Sequence, residues 1–90
     1  MFEGYGRFDS WGLPEDFMLL CMLSNLGVTS REKALSREEI SERTSIEVDS
    51  VNRLISKLLD EGLVEPVKVE SEEKFYVTTD GVRRVLSLYS

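Results

Sequence analysis

Histidine is absent from this 90-residue sequence, so the charged side chains are the main candidates for catalysis or binding. The commonest general base and metal ligand is therefore missing. The sequence also contains no cysteine cluster, no glycine-rich phosphate loop and no Ser-x-x-Lys pattern. We interpret its carboxylate-rich runs as solvated faces rather than as a paired acid and base. The sequence therefore predicts no enzymatic activity, no metal site and no cofactor.

The charge balance of the chain limits the nucleic-acid partners it could have. Asp and Glu number 17 against 11 Lys and Arg, giving a formal net charge of −6 and an isoelectric point near 4.6. Basic side chains that neutralise phosphates supply most non-specific affinity for nucleic acids. An acidic chain is therefore a poor non-specific binder, although a local basic patch remains open.

Cys21, the one cysteine, lies within the apolar run FMLLCML. We interpret it as a small buried hydrophobe in a reducing cytoplasm. A redox-sensing thiol is the alternative, but no base flanks Cys21 to lower its pKa. No segment has the ~18–20 apolar residues of a membrane span, and Glu3 and Asp9 interrupt any signal peptide. These features predict a cytoplasmic protein without a membrane partner.

The chain begins with an aromatic arm, residues 1–12, ahead of a single domain over residues 13–90. Its glycines disfavour a regular helix. We predict that the arm packs across its own domain or a partner's; a base-stacking surface is the alternative, with only Arg7 to accompany it. Four aromatic residues recur in it at every third position: Phe2, Tyr5, Phe8 and Trp11.

The segment after the arm predicts a helix that is apolar nearly all round. Pro14 suits the first turn of this helix, and Gly27 offers a C-terminal stop. One small domain has too few elements to cover such a helix on every face, so we predict a homodimer. The predicted interface combines apolar residues of the arm, this helix and the C-terminus: Phe2, Tyr5, Phe8, Trp11, Phe17, Met18, Met22, Leu86 and Tyr89.

Two further helices follow a polar loop. Ser36 and Glu39 form a Ser-x-x-Glu capping box, which predicts a short helix ending near Thr44. A 3.6-residue apolar period then predicts a helix over residues 48–61, terminated by Gly62. Leu54 is placed on the flank of this helix. Its buried face is predicted to contain Val48, Val51, Ile55, Leu58 and Leu59.

A hairpin and a last helix complete the predicted order. LVEPVKV and KFYVT predict two strands around the acidic tip ESEE. Pro66 confines the first strand to an edge or irregular position. The order helix, helix, helix, hairpin, helix predicts a mainly α single domain with a small β-hairpin (α+β). The last helix begins with a threonine cap and carries an apolar stripe of Val82, Val85, Leu86 and Tyr89.

Two segments of this order, EEISERTSIEVDSVNRLISKLLDEGLVE and KFYVTTDGVRRVL, carry a family resemblance. The stretch from Leu35 to Leu86 resembles the winged helix-turn-helix of MarR- and PadR-like transcriptional regulators. It has the short helix and tight turn into DSVNRLISKLLDEGLV, an aliphatic hairpin, and YVTTDGVRRVL, similar to the Tyr-x-Leu-Thr-x-x-Gly that closes the family's wing. The resemblance implies a winged helix-turn-helix fold.

The resemblance also implies that the helix over residues 48–61 lies in a major groove. Arg53, central on its outer face, could then donate two hydrogen bonds to guanine; the alternative is an exposed arginine paired with Asp49. Asn52 has three open interpretations: contact with adenine, contact with a phosphate, or exposure to solvent. Arg37 has two: it clamps the DNA backbone, or it is an ordinary surface arginine. The implied DNA contacts are Arg37, Asp49, Ser50, Asn52, Arg53, Lys57, Lys68 and Lys74.

Some carboxylates do not fit a DNA-binding surface. Glu47 and Asp49 have a local explanation, because the start of a helix stabilises anions. The wing tip departs from the family, whose tip carries Arg or Lys, since Glu70, Glu72 and Glu73 stand there. We therefore predict sequence-specific double-stranded DNA binding by a homodimeric transcriptional regulator. A winged helix that binds a protein partner through its acidic tip, and a DNA-partition or chromatin component, remain alternatives.

Overall fold

The computed structural model describes residues 13–89 and contains four α-helices and one antiparallel hairpin in the predicted order. The elements are α1 Glu15–Asn25, a 3₁₀ turn Arg31–Lys33, α2 Arg37–Thr44, α3 Val48–Asp60, β1 Val64–Val69, β2 Glu72–Val77, α4 Thr79–Leu86 and a final 3₁₀ turn Ser87–Tyr89. Helices α2 and α3 form a helix-turn-helix, and the hairpin of β1 and β2 follows as a wing.

The helix ends follow local signals. Ser36 Oγ accepts a hydrogen bond from the Glu39 N–H at 3.2 Å, and Glu39 Oε1 accepts one from the Ser36 N–H at 2.9 Å, which confirms the capping box. Gly27 and Gly62 adopt φ angles of 82° and 73°, the left-handed conformation that ends a helix. Pro14 lies at the N-cap of α1 rather than in its first turn.

The core is formed by α1, α3 and the inner face of the hairpin, with contributions from α2 and α4. The predicted buried face of α3 needs correction at three positions: Val48 is 37% exposed and Leu59 is only partly buried, whereas Leu54 is 4% exposed and belongs to the core. The face is centred nearer to Leu54 because α3 packs against both α1 and α2. Its fully or nearly fully buried residues are Val51, Leu54, Ile55 and Leu58.

Within residues 13–89, helix α1 is fully buried along one face. Leu19, Leu20 and Leu23 are fully buried, whereas its other apolar side chains are partly exposed. Cys21 is among the partly exposed residues, so the expectation of a buried cysteine is wrong; partial burial still raises the pKa of its thiol. The cause is that Cys21 lies at the border between the face on the core and the opposite face.

The wing is a hairpin with a two-residue turn. Val64 pairs with Val77 and Val69 with Glu72, so the tip consists of Glu70 and Ser71 alone, with φ angles of 51° and 72°. The prediction of a four-residue tip is therefore wrong. Two residues suffice because positive φ at both positions matches the twist of the flanking strands.

Backbone hydrogen bonds fix the hairpin to the helix-turn-helix. Leu35 and Phe75 exchange two of them, at 3.0 and 2.8 Å. Phe75 thereby directs its N–H and C=O towards Leu35, so Pro66, its partner across the hairpin, forfeits no ladder hydrogen bond. The predicted edge position of Pro66 is confirmed, since β1 is the outer strand.

Gly81→Ala is expected to lower the free energy of unfolding by about 1–3 kcal/mol, the usual cost of overpacking. A Cβ at Gly81 would collide with the Leu63 carbonyl oxygen and lie 2.6 Å from Val77 Cγ1. That oxygen cannot easily move, because it accepts from the Thr78 N–H at 3.0 Å. Chemical denaturation measures the change, with the exposed Thr79→Ala as control. Unchanged stability of Gly81→Ala would contradict this close approach.

Candidate nucleic-acid interface

The candidate interface begins at the turn between α2 and α3. Ser45 adopts a left-handed φ of 63° and ends α2. Thr44 Oγ1 donates to the Ile40 carbonyl at 2.7 Å and accepts from the Ile46 N–H at 3.3 Å, which fixes the path of the turn. Glu47 is the N-cap of α3 without a side-chain hydrogen bond to the helix, as its weaker capping ability leads one to expect.

Helix α3 presents a polar outer face. Arg53 lies opposite the buried residues, and Lys57 is exposed one turn further along. Asn52 and Asp49 are also exposed, whereas Ser50 is half-buried. The predicted outward direction of α3 therefore holds despite the correction at Val48.

Arg53 forms an ion pair with a residue of another helix. Its Nη2 lies 3.5 Å from Glu15 Oε1 on α1, and not beside Asp49 as in the alternative interpretation of Arg53. The reason is tertiary: α1 packs beside α3 and brings a carboxylate to the guanidinium. Both side chains are more than half exposed, so this pair is a weak one.

Arg37 is held between α2 and the wing. Its Nη1 donates to Glu73 Oε1 at 3.1 Å, and its guanidinium lies 4.6 Å from the centre of the Phe75 ring. Glu73 and Phe75 are two residues apart in β2 and therefore share one face of the strand. No local pattern predicts this pairing, because 36 residues separate Arg37 from Glu73.

A second ion pair joins α2 to the wing, beside the pair of Arg37 and Glu73. Lys74 Nζ lies 3.4 Å from Glu39 Oε1 on α2. The pKa of the Glu39 carboxyl is lowered, first by its hydrogen bond from the Ser36 N–H and then by Lys74. Lys68 and Lys57 are exposed and form no ion pair within residues 13–89.

The predicted dimer residues are placed only in part. Phe17, Met18 and Met22 are partly exposed on α1. Leu86 is 57% exposed near the C-terminus, and Leu88, which the sequence analysis missed, is 45% exposed. The predicted residues outside the described part of the chain, or with side chains outside it, are Phe2, Tyr5, Phe8, Trp11 and Tyr89.

A cleft of about 400 Å³ separates α1 from the helix-turn-helix. Met18 and Met22 line its α1 side, and Ile46 and Ser50 line the opposite side. Neither in this cleft nor in the rest of residues 13–89 is a group of three or more acidic, histidine or cysteine side chains arranged to hold a metal ion. The same residues contain no helix long and apolar enough to cross a membrane.

By sequence, the chain matches no protein-family model and no curated protein. By structure, it is similar to the DNA-binding TubR fragment from Clostridium botulinum (TM-score 0.71, 23% identity, 82% of this chain and 93% of that one). It is also similar to a MarR family protein from Bacillus stearothermophilus (TM-score 0.67, 21% identity, 86% of this chain).

A third similar structure is that of the Staphylococcus aureus MepR–DNA complex (TM-score 0.70, 14% identity, 93% of this chain and 60% of that one). This chain spans 51% of the MarR family protein but nearly all of the TubR fragment. At these identities the similarities establish the fold, a winged helix-turn-helix, which confirms the fold expected from the sequence.

Proposed function

We propose that this protein binds double-stranded DNA sequence-specifically, as a homodimeric transcriptional regulator with α3 of each subunit in a major groove. The observation that carries the proposal is the outer face of α3, where Asn52, Arg53 and Lys57 are exposed beside a two-stranded wing. Structures with this fold include a DNA-binding TubR fragment and a MepR–DNA complex. The proposed site of action is the cytoplasm.

Each proposed contact has a distinct role. Arg53 reads guanine through O6 and N7, and Asn52 reaches an adenine or a phosphate. Lys57 meets a phosphate, and Ser50 and Asp49 border the base edges. The contacts that clamp the DNA backbone are Arg37 at the start of α2 and Lys68 and Lys74 on the wing.

Dimerisation is proposed because one protomer has too few positive charges to bind DNA tightly by itself. Five lysines and arginines are in the proposed contact set, within a chain of net charge −6. Two linked recognition helices raise the affinity without new contacts per subunit. The partly exposed face of α1 and the exposed Leu86 and Leu88 supply the apolar surface for the second protomer.

Two further functions are kept as candidates. A protein-interaction role is favoured by the wing, where Glu70 and Glu72 are exposed at the position a DNA-binding wing would fill with cations. A DNA-partition or chromatin component would use the same α3 face. The salt dependence of binding separates the protein-interaction role from both DNA-binding functions.

Selection from a random duplex library at ~50 mM salt is expected to yield a pseudo-palindromic site. Its half-sites should be one helical turn, about 34–36 Å, apart. Arg37, Lys57, Lys68 and Lys74 allow at most about eight phosphate contacts per dimer, so log K should fall with log salt at a slope no steeper than about −7. Failure to retain any duplex at ~50 mM salt rules the proposal out in favour of the protein-interaction role.

A further inference from the structure

The cations proposed to contact DNA are largely occupied by carboxylates of the same chain. Arg37, Arg53 and Lys74 lie 3.1, 3.5 and 3.4 Å from a carboxylate oxygen. The shortest of the three pairs is Arg37–Glu73, and Arg37 is less exposed than Arg53, at 32% against 57% of the side chain. Lys74 is less exposed still, at 21%, but of the three cations Arg37 is the one that also lies over an aromatic ring, 4.6 Å from the centre of Phe75.

The guanidinium of Arg37 is positioned independently of Glu73. The Phe75 ring beneath it is fully buried, and the Phe75 backbone is fixed by two hydrogen bonds to Leu35. Stacking on an aromatic ring orients the plane of a guanidinium. Removing the Glu73 charge should therefore leave Arg37 in place and the wing attached.

A carboxylate and a phosphate present the same kind of acceptor to a guanidinium. If Arg37 binds a DNA phosphate, Glu73 either leaves the guanidinium or stays beside a second anion, and both outcomes weaken binding. A released Glu73 also takes up a cation from solution, which opposes the release of cations from the DNA.

We propose that Glu73 is a built-in competitor of DNA phosphate for Arg37, so that DNA binding is an anion exchange at this guanidinium. The inference rests on the proposed function. In this role Glu73 sets the DNA affinity by masking a phosphate contact of Arg37 in the free protein. Glu73 acts through its ion pair with Arg37 and does not itself contact DNA.

Glu73→Gln is expected to bind the selected duplex about two- to fivefold more tightly than the unaltered protein, the range for loss of an exposed ion pair. Its log K against log salt should be steeper by up to about 1 per subunit, since no cation uptake by position 73 opposes binding. Fluorescence anisotropy with the labelled duplex at several salt concentrations measures both quantities. Thermal unfolding verifies that each variant is folded.

Glu72→Gln is the matched control. It removes the same charge from the neighbouring residue, which is exposed and forms no ion pair within residues 13–89. In an Arg37→Gln background, Glu73→Gln should change the affinity no more than Glu72→Gln does. This background separates competition at Arg37 from general repulsion of DNA by the wing.

Three results would overturn the inference. Equal effects of Glu73→Gln and Glu72→Gln would assign the gain to general electrostatics, and weaker binding by Glu73→Gln would mean that Glu73 assists Arg37. In both cases DNA binding itself stands. If neither the unaltered protein nor Glu73→Gln binds a duplex at ~50 mM salt, the proposed function falls together with the inference.

Discussion

Arg53→Ala is expected to weaken binding to the selected duplex by about 5- to 150-fold, the equivalent of about 1–3 kcal/mol for a bidentate contact to a base. Its side chain lies on the outer face of α3 and is 57% exposed, so little packing is lost on truncation. The ion pair with Glu15 is exposed and contributes at most about 1 kcal/mol to stability. The thermal midpoint should therefore move by only a few degrees.

Arg83→Ala is the control for the Arg53 substitution. Arg83 is likewise an exposed arginine paired with a carboxylate, Asp80, at 3.5 Å, but it lies on α4, outside the helix-turn-helix. Arg83→Ala removes the same charge as Arg53→Ala. It should leave the affinity for the selected duplex within about twofold of that of the unaltered protein, because distant charges are screened at physiological salt. Unaltered binding by Arg53→Ala, or an equal loss in both variants, would contradict the placement of Arg53 in the groove.

Phe75→Ala is expected to lower the free energy of unfolding by about 3–5 kcal/mol, the cost of removing a buried aromatic ring. Phe75 is fully buried in the wing and supports the guanidinium of Arg37 from below. A domain of this size has a total stability of roughly 5–13 kcal/mol. The thermal midpoint should therefore fall by at least about 12 °C.

Val69→Ala provides the comparison for Phe75→Ala, since Val69 is an apolar side chain of the same hairpin but is 39% exposed. Its truncation should cost less than about 1 kcal/mol. Phe75→Leu keeps most of the buried volume and should remain folded, with a DNA affinity reduced through Arg37. A Phe75→Ala protein as stable as Val69→Ala would show that the wing is not packed as described.

The sequence by itself determined the elements of this fold, because their signals are local. The capping box at Ser36 and Glu39, the stops at Gly27 and Gly62, and the threonine cap at Thr78 are all present where they were predicted. Each of these signals acts over a few residues, within reach of the backbone groups that it satisfies. The helix order and the hairpin followed from these signals, and the resemblance to winged helix-turn-helix regulators implied how they are arranged.

The predictions of burial in α3 and of the length of the wing tip were wrong, because both depend on packing or pairing with a neighbouring element. The 3.6-residue period placed Val48 inside the buried face of α3 and Leu54 on its flank. Packing against α1 and α2 instead buries Leu54 and leaves Val48 exposed. The extent of the wing tip depended on the register of β1 and β2, which a run of acidic residues does not encode. Periodicity gives the direction of a face, but its centre depends on what packs against it.

The partners of the charged residues were decided by tertiary structure alone. Arg53 pairs with Glu15, and Arg37 with Glu73, across separations in sequence that no local pattern bridges. Side-chain reach is a few ångströms, so such pairs exist only once packing has brought two elements together. The residue types on the candidate interface could thus be predicted from the sequence, whereas the carboxylates that occupy its cations depend on how α1, α2 and the wing are packed.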